Sequence, residues 1–375
     1  MIYMLSAGEA SGDLHASQLI RELRRQDPQA RFCFAGGDMM AQAAGCAPFI
    51  HYRDMAYMGF ADVVRHLPQV RRNLAAATAL IRRVKPDVFI PVDYPSFNLR
   101  IAAEANKTGI PVHYYISPKV WAWKEWRIKD ISRLCQSVLS ILPFEPDFFA
   151  RKGYDRCVYV GNPSVEEIDS RLAAAPSATE FRTRNALSDK PIIALVPGSR
   201  VSEIRSNLPV MIDTIRPLLK KYQGVIAAAP GIYPAIYPED IKRVEGQTTD
   251  LMAASAAALV TSGTASLEAA LARVPQVVCY RHSGSRIFYT IMERVLKIPY
   301  VSLPNLIAGR EIVPELLLHK CTPTAALRAL LEILPDHPGR DAQLSGYDLV
   351  RSKLGTDHAA ATAASRIIAS LRGQS

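Results

Sequence analysis

The chain has 375 residues, of which 49% are hydrophobic and 21% are charged, a composition that excludes a disordered or fibrous protein. Its length fits about two domains, and its net charge of +10 favours anionic partners such as nucleotides, phosphorylated substrates or an acidic lipid surface. The six cysteines form no C-x-x-C pair, and no metal site, redox motif or other cofactor is predicted. No signal peptide or spanning segment is predicted either, which favours a cytoplasmic protein that is soluble or associated with a membrane surface.

The first half of the chain alternates short apolar runs with longer amphipathic stretches, the pattern of a parallel sheet wrapped by helices. A strand predicted at 2–6 is followed by a Gly/Ser loop and a helix at 13–26. Further strands are predicted at 31–35, 87–92, 112–116, 136–142 and 158–160. This series ends before a linker of small residues at 173–178.

A second series of the same kind begins with a predicted strand at 192–196, followed by a turn and a mainly helical stretch at 202–221. Pro209 and Pro217 are expected to bound or kink that stretch. Further strands are predicted at 224–229, 257–260 and 275–280. The two series indicate α/β, Rossmann-like domains at 1–165 and 170–345 with a cleft between them, followed by a helical tail at 346–375 that can pack back on the first domain.

The loop after the first predicted strand consists of small and polar residues that let a ligand approach the backbone and the next helix. Gly8 and Gly12 are spaced as G-x-x-x-G, which argues against the dinucleotide fingerprint G-x-G-x-x-G. A tight turn in which Ser11 or Asp13 caps the helix is the alternative interpretation. Glu9 lies at the carboxyl edge of the strand, where open α/β sheets place their ligands.

Asp93 directly follows another buried apolar strand. Its carboxylate is expected to project from the end of that strand into the same crevice as Glu9. A carboxylate in this position can accept the proton of an attacking hydroxyl, which makes Asp93 a candidate general base. The alternative is that Asp93 caps the helix that follows it.

Two loops of the second half have the composition of a phosphate cradle. Residues 197–200 (PGSR) follow a strand and precede a helix, so backbone N–H groups, a hydroxyl and a guanidinium converge there. Residues 261–268 (TSGTASLE) follow another strand, and their hydroxyls can bind phosphate or cap the helix, while Glu268 can accept both hydroxyls of a ribose. A later loop adds Asn305 and Arg310. Neither loop is a Walker A motif, and together they predict a site for a nucleoside diphosphate.

Two further segments are candidates for lipid contact. The stretch from Val63 to Lys85 carries six basic residues, no acidic residue and a regular apolar series, which Pro68 is expected to divide into two helices. Such an element can lie on an anionic membrane, or it can pack on its own sheet with solvated arginines. All three tryptophans fall within 121–126, where they can line a sugar or acyl pocket or pack in the core.

These residues occur in an order that resembles the lipid A disaccharide synthase family, glycosyltransferases of Gram-negative outer-membrane lipid biosynthesis. The segments that carry the resemblance are AGEASGD at 7–13, MG at 58–59, VDYPSFN at 92–98, YISPKVWAW at 115–123, LPFE at 142–145, PGSR at 197–200, SGTASLE at 262–268 and VSLPNLIAGRE at 301–311. Ordered motifs over about 300 residues are more specific than any one of them.

The resemblance implies a two-domain fold of the glycosyltransferase B type. It also implies an inverting transfer of 2,3-diacylglucosamine from UDP to 2,3-diacylglucosamine 1-phosphate, which yields UDP and the β-1,6-linked disaccharide 1-phosphate. The second domain would hold UDP and the first the acceptor. The implied enzyme is peripheral on the cytoplasmic face of the inner membrane and binds an anionic membrane surface but no nucleic acid, and a homodimer is left open as its assembly.

The resemblance also assigns roles to residues of this chain. Asp93 would be the catalytic base. The acceptor cleft would comprise Gly8, Glu9, Ser11, Gly12, Asp13 and Asn98. UDP would contact Gly198, Ser199, Arg200, Glu203, Ser262, Gly263, Thr264, Glu268, Asn305 and Arg310. Arg71, Arg72, Arg82 and Arg83 would face the membrane.

The chain departs from the family pattern at two positions. Ser96 stands where the family usually has a second Asp, and Asn162 stands where it usually has His. Asp93 is retained. Two alternatives are kept, a UDP-N-acetylglucosamine 2-epimerase-like enzyme of the same fold and a non-catalytic binder of anionic lipid.

Overall fold

The computed structural model describes residues 1–55, 67–281 and 299–373. Contacts between Cα atoms divide the chain into two compact units, Met1–Pro163 with Thr356–Ser375, and Ser164–Gly355. Each unit is built on its own parallel sheet, which confirms the predicted pair of α/β domains. Among the described residues, no helix is both long and apolar enough to cross a bilayer.

The first unit contains a seven-stranded sheet. Its strands are β1 (Ile2–Ala7), β2 (Arg31–Gly36), β3 (Ile50–His51), β4 (Val88–Val92), β5 (His113–Tyr115), β6 (Ser137–Ser140) and β7 (Cys157–Tyr159). Its helices up to the end of the sheet are α1 (Ala10–Gln26), α2 (Asp38–Ala44), α3 (Leu67–Val84), α4 (Pro95–Lys107), α5 (Ile128–Leu134) and α6 (Glu145–Arg151).

The strand order of this sheet, β3-β2-β1-β4-β5-β6-β7, reverses direction at β1 and β4. The loops that leave these two neighbouring strands therefore diverge and leave a crevice at the carboxyl edge, the usual ligand position in open α/β sheets. All five residues of β4 are buried, because helices pack on both faces of the parallel sheet. Met4 and Phe89 belong to the apolar core on one face, and Leu5 and Ile90 to that on the other.

The second unit contains a six-stranded sheet with the order β10-β9-β8-β11-β12-β13. Its strands are β8 (Ile192–Val196), β9 (Gln223–Ala228), β10 (Lys242–Glu245), β11 (Ser255–Val260), β12 (Gln276–Tyr280) and β13 (Glu315–Leu317). Its helices are α7 (Pro163–Ala173), α8 (Ala178–Arg184), α9 (Val201–Ile215), α10 (Thr248–Ala253), α11 (Thr264–Leu271), α12 (Leu303–Ala308), α13 (Pro323–Leu331) and α14 (Pro338–Leu354). The direction reverses at β8 and β11, so the crevice of this unit lies above the loops that contain 197–200 and 261–264.

The end of the chain differs from the sequence-based division. The tail was expected to begin at 346, but this position lies inside α14, and Tyr347 is buried against Val278 and Val313 of the second unit. The final helix, α15 (Ala359–Leu371), packs against α1 of the first unit and contributes Ala363 and Ile367 to its core.

Of the two prolines expected to bound or kink the stretch 202–221, one lies at the end of the helix and the other lies within it. Pro209 lies inside the continuous helix α9 and does not bound it, whereas Pro217 lies just beyond the end of that helix. An internal proline removes one helix hydrogen bond, and its ring crowds the carbonyl group four residues earlier, so the packing of the buried residues on both sides of Pro209 must offset this cost. Pro68 is the second residue of the described helix α3, and residues 63–66 lie outside the described ranges, as do 58–59.

Candidate active site

The crevice of the first unit is bordered by Glu9, after β1, and Asp93, after β4. The two strands are hydrogen-bonded neighbours, and Ala7 pairs with Val92 at their carboxyl ends. The structure therefore brings the two predicted carboxylates to the same point of the sheet edge. Both side chains are half-buried.

The backbone at Asp93 and Tyr94 adopts an uncommon conformation. Both residues have left-handed φ values, 44° and 48°. A left-handed conformation costs roughly 1–2 kcal/mol per non-glycine residue, so other contacts must hold it in place. The Tyr114 hydroxyl donates to the Asp93 carbonyl at 2.7 Å, and Asn98 Nδ2 donates to the same carbonyl at 2.8 Å. These buried donors fix the direction in which the Asp93 side chain leaves the strand.

Gly8 is required by the position of Tyr94. A Cβ atom on Gly8 would lie 2.2 Å from Cγ of the Tyr94 ring, so a larger residue would displace the ring. The Tyr94 hydroxyl donates to the Met55 carbonyl at 2.5 Å and fixes the other end of the side chain. At Gly12 a Cβ atom would lie 3.2 Å from that of Ala7, a tight but smaller conflict. The G-x-x-x-G spacing thus serves close packing at the carboxyl end of β1.

The environment of Asp93 makes its carboxyl group a stronger base than an ordinary aspartate. Burial, helped by the negative charge of Glu9, raises the pKa of Asp93 to about 6, although the positive charges of Lys119 and Arg127 act to lower it. A base with a pKa slightly below neutral is mostly ionised at neutral pH and still accepts a proton readily. This is the property that a general base for an alcohol needs.

The other predicted residues of this crevice differ in their availability. The Ser11 hydroxyl donates to Glu9 Oε1 at 2.7 Å, and both residues remain accessible. Asp13 is buried and accepts hydrogen bonds of 2.7–3.2 Å from three backbone N–H groups at the start of α2, so it caps that helix. Asn98 is fully buried and donates to backbone carbonyls at the ends of β1 and β4. Asp13 and Asn98 therefore support the crevice and do not line it.

The two departures from the family pattern both have defined contacts. Ser96 accepts a hydrogen bond of 2.8 Å from Nη2 of the buried Arg127. Asn162, which is also buried, donates to the Ile141 carbonyl at 2.8 Å. Ser96 thereby leaves the Arg127 guanidinium with a neutral partner where a carboxylate would have neutralised it.

Glu145 is a residue of this edge whose role sequence reasoning missed. Its side chain is buried and accepts hydrogen bonds from Trp121 Nε1 at 2.8 Å, from the Ser117 hydroxyl at 2.9 Å and from the Ser140 hydroxyl. Burial raises the pKa of Glu145 to about 7, and the three donors oppose that rise. The carboxyl group thus joins the loop after β5 to the end of β6. Only its occurrence in the LPFE motif signalled it in the sequence.

In the second unit, Gly198, Ser199 and Arg200 form the turn between β8 and α9. Gly198 has a φ of 120°, which a residue with a side chain rarely adopts. Glu203 folds back onto this turn, where its carboxylate accepts from the N–H groups of Ser199 at 3.1 Å and Arg200 at 3.4 Å. Its other oxygen accepts from Arg200 Nη1 at 2.9 Å. The Glu203 carboxylate therefore occupies the N–H groups that were predicted to bind phosphate.

The neighbouring loop leaves β11 at the same edge. Gly263, with a φ of 122°, is the last residue before α11. The Ser262 hydroxyl donates to the Val301 carbonyl at 3.2 Å and joins this loop to the one before α12. Thr264 is exposed at the first position of the helix. Gly263 and Thr264 are thus placed where a phosphate can approach the helix N-terminus.

Glu268 lies one turn further along α11. Burial raises the pKa of its carboxyl group, and the negative charge of Glu167 on α7 raises it further. Glu167 itself is paired with Arg171 at 2.6 Å. Glu268 is half-buried, in a position from which its carboxylate can accept hydrogen bonds from hydroxyl groups of a ligand.

The Asn305 side-chain amide forms hydrogen bonds at both ends with residues of its own loop and of β13. Its Nδ2 donates to the Val313 carbonyl at 2.9 Å and to Glu315 at 2.8 Å, and its Oδ1 accepts from the N–H groups of Ile312 at 2.7 Å and Val313 at 2.9 Å. The side chain is fully buried. Asn305 therefore shapes the loop that presents Arg310, whose side chain is exposed.

Asn207 organises the second-unit edge and was missed from the sequence. It is fully buried in α9, and its Nδ2 donates to the Pro197 carbonyl at 3.1 Å and the Thr261 hydroxyl at 3.2 Å. Its Oδ1 accepts from the Arg281 N–H at 2.7 Å. One amide thus joins the carboxyl ends of β8, β11 and β12. Nothing local in the sequence signals these contacts, because the partners lie up to 74 positions away.

The helix α3 has the two faces that its pattern predicts. Its buried residues are Asn73, Ala77, Leu80 and Ile81. Its arginines Arg71, Arg72, Arg82 and Arg83 are all exposed. Arg82 pairs with Glu104 at 3.3 Å.

Comparison with known proteins identifies the family. A model of the lipid-A-disaccharide synthetase family matches residues 3–366. The lipid-A-disaccharide synthase of Myxococcus xanthus is 39% identical over 97% of this chain and 96% of that protein. The corresponding protein of Neisseria meningitidis serogroup A is 37% identical over 91% and 90% of the two chains.

Solved structures show the same fold at low identity. A UDP-GlcNAc 2-epimerase from Neisseria meningitidis bound to UDP-GlcNAc matches all of both chains with a TM-score of 0.64 and 13% identity. A putative UDP-N-acetylglucosamine 2-epimerase from Listeria monocytogenes gives a TM-score of 0.64 at 12% identity over 99% and 96% of the chains. These likenesses show the glycosyltransferase B type of fold alone. The extent of the family match, together with the sequence identities, shows that this chain belongs to the lipid-A-disaccharide synthase family of glycosyltransferases.

Proposed function

We propose that the protein transfers 2,3-diacylglucosamine from UDP to the 6-hydroxyl of 2,3-diacylglucosamine 1-phosphate, with inversion at the anomeric carbon. The observation that carries the mechanism is Asp93, a carboxylate at the switch point of the first sheet whose pKa of about 6 suits a general base. Family membership supports the substrate classes, a UDP-sugar and a lipid acceptor.

The proposed reaction is a single displacement. Asp93 accepts the proton of the acceptor 6-hydroxyl while that oxygen attacks the anomeric carbon of the donor. The bond from the anomeric carbon to the diphosphate oxygen breaks, and UDP leaves with the bonding electron pair. One displacement without a covalent enzyme intermediate inverts the configuration, so the products are the β-1,6-linked disaccharide 1-phosphate and UDP.

The second unit supplies the proposed UDP site. The N–H groups at Ser199 and Gly263, together with Arg200 and Arg310, would stabilise the diphosphate, since helix N-termini and guanidinium groups bind phosphate well. The Glu268 carboxylate would accept hydrogen bonds from the ribose hydroxyl groups. Phosphate binding to the N–H groups of Ser199 and Arg200 would replace their hydrogen bonds to the Glu203 carboxylate.

The proposed site of action is the cytoplasmic face of the inner membrane, where a peripheral enzyme can reach diacylated substrates. The exposed arginines of α3 support this placement, because basic residues near an anionic lipid surface are attracted to it. The acyl chains of both substrates partition into the bilayer, so an enzyme that acts on them benefits from contact with its surface.

Mass spectrometry of the products tests the proposal. The purified protein is incubated with UDP-2,3-diacylglucosamine and 2,3-diacylglucosamine 1-phosphate, and the disaccharide 1-phosphate and UDP are expected in equal amounts. Incubation with UDP-N-acetylglucosamine alone tests the epimerase alternative. Epimerised sugar without any disaccharide would reject the proposal.

A further inference from the structure

The loop 117–127, which follows β5 at the carboxyl edge of the first sheet, has no assigned role in the proposed reaction. It contains all three tryptophans of the chain. The side chains of Trp123 and Trp126 are 54% and 62% exposed, among the most exposed large apolar side chains of the described residues. The loop is nevertheless anchored, because Glu145 holds Ser117 and Trp121 from below.

The loop also carries a cluster of cations. Lys124 Nζ lies 4.0 Å from the centre of the Trp123 ring, and the Arg127 guanidinium carbon lies 5.6 Å from that of Trp126. Lys119 is exposed near the start of the loop. These contacts hold two positive charges against indole faces, an arrangement that preorganises them for a ligand.

No described carboxylate forms a direct ion pair with this cluster, although the charges of Asp130 and Asp93 act on Arg127 from a greater distance. In the described part of the chain, Lys119, Lys124 and Arg127 have no carboxylate oxygen within 4.0 Å. Glu125, the acidic residue of the loop, pairs with Lys152 at 2.5 Å. Partial burial and the charge of Arg127 both lower the pKa of Lys124, as expected where cations are held together without an anion.

The position of the cluster limits the identity of the missing anion. Lys119 and Arg127 lie close enough to Asp93 for their charges to lower its pKa. Arg127 also contacts Ser96, three residues after Asp93, so an anion bound to these cations lies at the same edge of the sheet as the proposed base and within electrostatic range of it. In the proposed acceptor, one pyranose ring separates the 6-hydroxyl from the phosphate, so a phosphate at this cluster places the hydroxyl near Asp93.

We propose that Lys119, Lys124 and Arg127, on the tryptophan-bearing loop 117–127, form the subsite that binds the phosphomonoester of the sugar acceptor. The guanidinium and ammonium groups bind the phosphate oxygens, and the exposed parts of Trp123 and Trp126 that the two cations leave uncovered pack against the sugar and the first part of its acyl chains. The inference rests on the proposed function for the identity of the acceptor. It assigns this loop the selection of a phosphorylated sugar over its unphosphorylated form.

Tryptophan fluorescence of the full chain tests binding without any turnover, because every tryptophan lies in this loop. Glucosamine 1-phosphate is expected to change the emission in a saturable way, whereas glucosamine is not. Lys119→Gln and Lys124→Gln should each weaken the apparent affinity about tenfold, the loss expected for one charge-assisted contact. Lys129→Gln removes the same charge from an exposed position on α5 and should leave the affinity as in the wild type.

The same assay with lipid vesicles tests the competing explanation, that the loop is a membrane contact. A response to phosphatidylglycerol vesicles without any response to glucosamine 1-phosphate would overturn the proposal and make the loop a membrane contact. A response to inorganic phosphate equal to that of the sugar phosphate would overturn the sugar part of the subsite.

Kinetics test the selection directly. For the wild type, kcat/KM with diacylglucosamine 1-phosphate should exceed that with diacylglucosamine, and the ratio of the two should fall about tenfold in Lys119→Gln. The ratio is used because Lys119 also lowers the pKa of Asp93, which affects both acceptors alike. An unchanged ratio would overturn the proposal. If no acceptor is used at all, the proposed function fails, and the fluorescence titration still decides the subsite.

Discussion

The two sheets end in crevices with the same topology, but the chain builds their edges in different ways. In the first unit, left-handed backbone at the edge is adopted by side-chain-bearing residues, Asp93 and Tyr94 among them. In the second unit the corresponding turns use Gly198 and Gly263, for which such φ values cost little. At the switch points, the first edge therefore holds conformations that the surrounding packing must enforce, whereas the second edge uses glycine; away from that point, Leu318 after β13 also has a left-handed φ, 54°.

The two edges also differ in how fully their polar side chains are hydrogen-bonded within the protein. At the second edge, Asn305 and Asn207 each use both ends of the amide for hydrogen bonds within the protein, and Glu203 closes the phosphate turn. At the first edge, the Asp93 carboxylate lies within electrostatic range of Glu9, Lys119 and Arg127, and neither cation forms a direct ion pair with a described residue. Strained backbone and groups with shifted pKa values are both typical of functional sites, so the first edge is the better candidate for the chemical step.

The largest expected effect is on turnover at the strained edge. Asp93→Asn removes the proposed base and should reduce kcat by roughly 10²–10⁴-fold while UDP binding by the second unit is retained. In the wild type, kcat/KM should fall about tenfold per pH unit below about pH 6, where Asp93 becomes protonated. Rates measured between pH 5 and 9 check both statements. Near-normal turnover of the variant would transfer the role of base to Glu9.

Glu145 is expected to be the most costly residue of the first edge to truncate. Glu145→Ala leaves three buried donors without their acceptor and should lower the free energy of unfolding by about 2–4 kcal/mol. Glu145→Gln is the matched control, since it keeps the shape and an acceptor oxygen. At pH 6, where the carboxyl group is mostly protonated, this variant should be nearly as stable as the wild type. Urea denaturation at pH 6 and pH 8 measures both variants, and equal losses for Ala and Gln would contradict the prediction.

At the second edge, Arg200 and Glu203 should act in opposite directions on UDP binding. Arg200→Ala removes a charge-assisted contact to the diphosphate and should weaken UDP binding by about 1.5–3 kcal/mol. Glu203→Gln removes the negative charge that occupies the turn and should strengthen binding several-fold. Calorimetric titration of the full chain with UDP separates the two effects. Weaker binding by Glu203→Gln would indicate that this carboxylate contacts the nucleotide instead.

Much of the fold could be predicted because the central strands are local apolar runs. The strands β1, β4 and β8 are buried on both faces and are visible in the sequence, whereas β3 and β13, with two and three residues, carry no periodic signal. Asp93 could be found because a carboxylate after a buried strand is conspicuous. Asn207 and the contacts of Glu145 could not be found, since their partners are remote in the sequence and the fold alone brings them together.

The Asp93→Asn variant, which lacks the proposed base, should also have a higher free energy of unfolding than the wild type. The folded-state pKa of Asp93, about 6, lies above its ordinary value of 3.8, so this group lowers the free energy of unfolding as the pH rises from about 4 to 6, and the full loss is present above pH 6. Asn cannot ionise and tolerates left-handed backbone better than most residues. Asp93→Asn should therefore be more stable than the wild type by about 1–2 kcal/mol at pH 8, and the difference should vanish as the pH falls from 6 to 4. A variant less stable than the wild type at pH 8 would contradict the raised folded-state pKa of Asp93.

The smallest expected effects concern membrane binding. We expect the first unit to make the membrane contact, because the basic helix α3 belongs to it. Each exposed base near an anionic surface contributes roughly 1 kcal/mol, so Arg71→Gln and Arg83→Gln should each reduce binding to phosphatidylglycerol vesicles about fivefold at low salt. Arg82→Gln should reduce it less, because Glu104 already neutralises part of that charge at 3.3 Å. Thermal stability should change little in all three, since these side chains are exposed. Vesicle sedimentation at two salt concentrations tests the order. If Arg82→Gln has the largest effect, or if added salt does not weaken binding, α3 packs on its sheet without a membrane role.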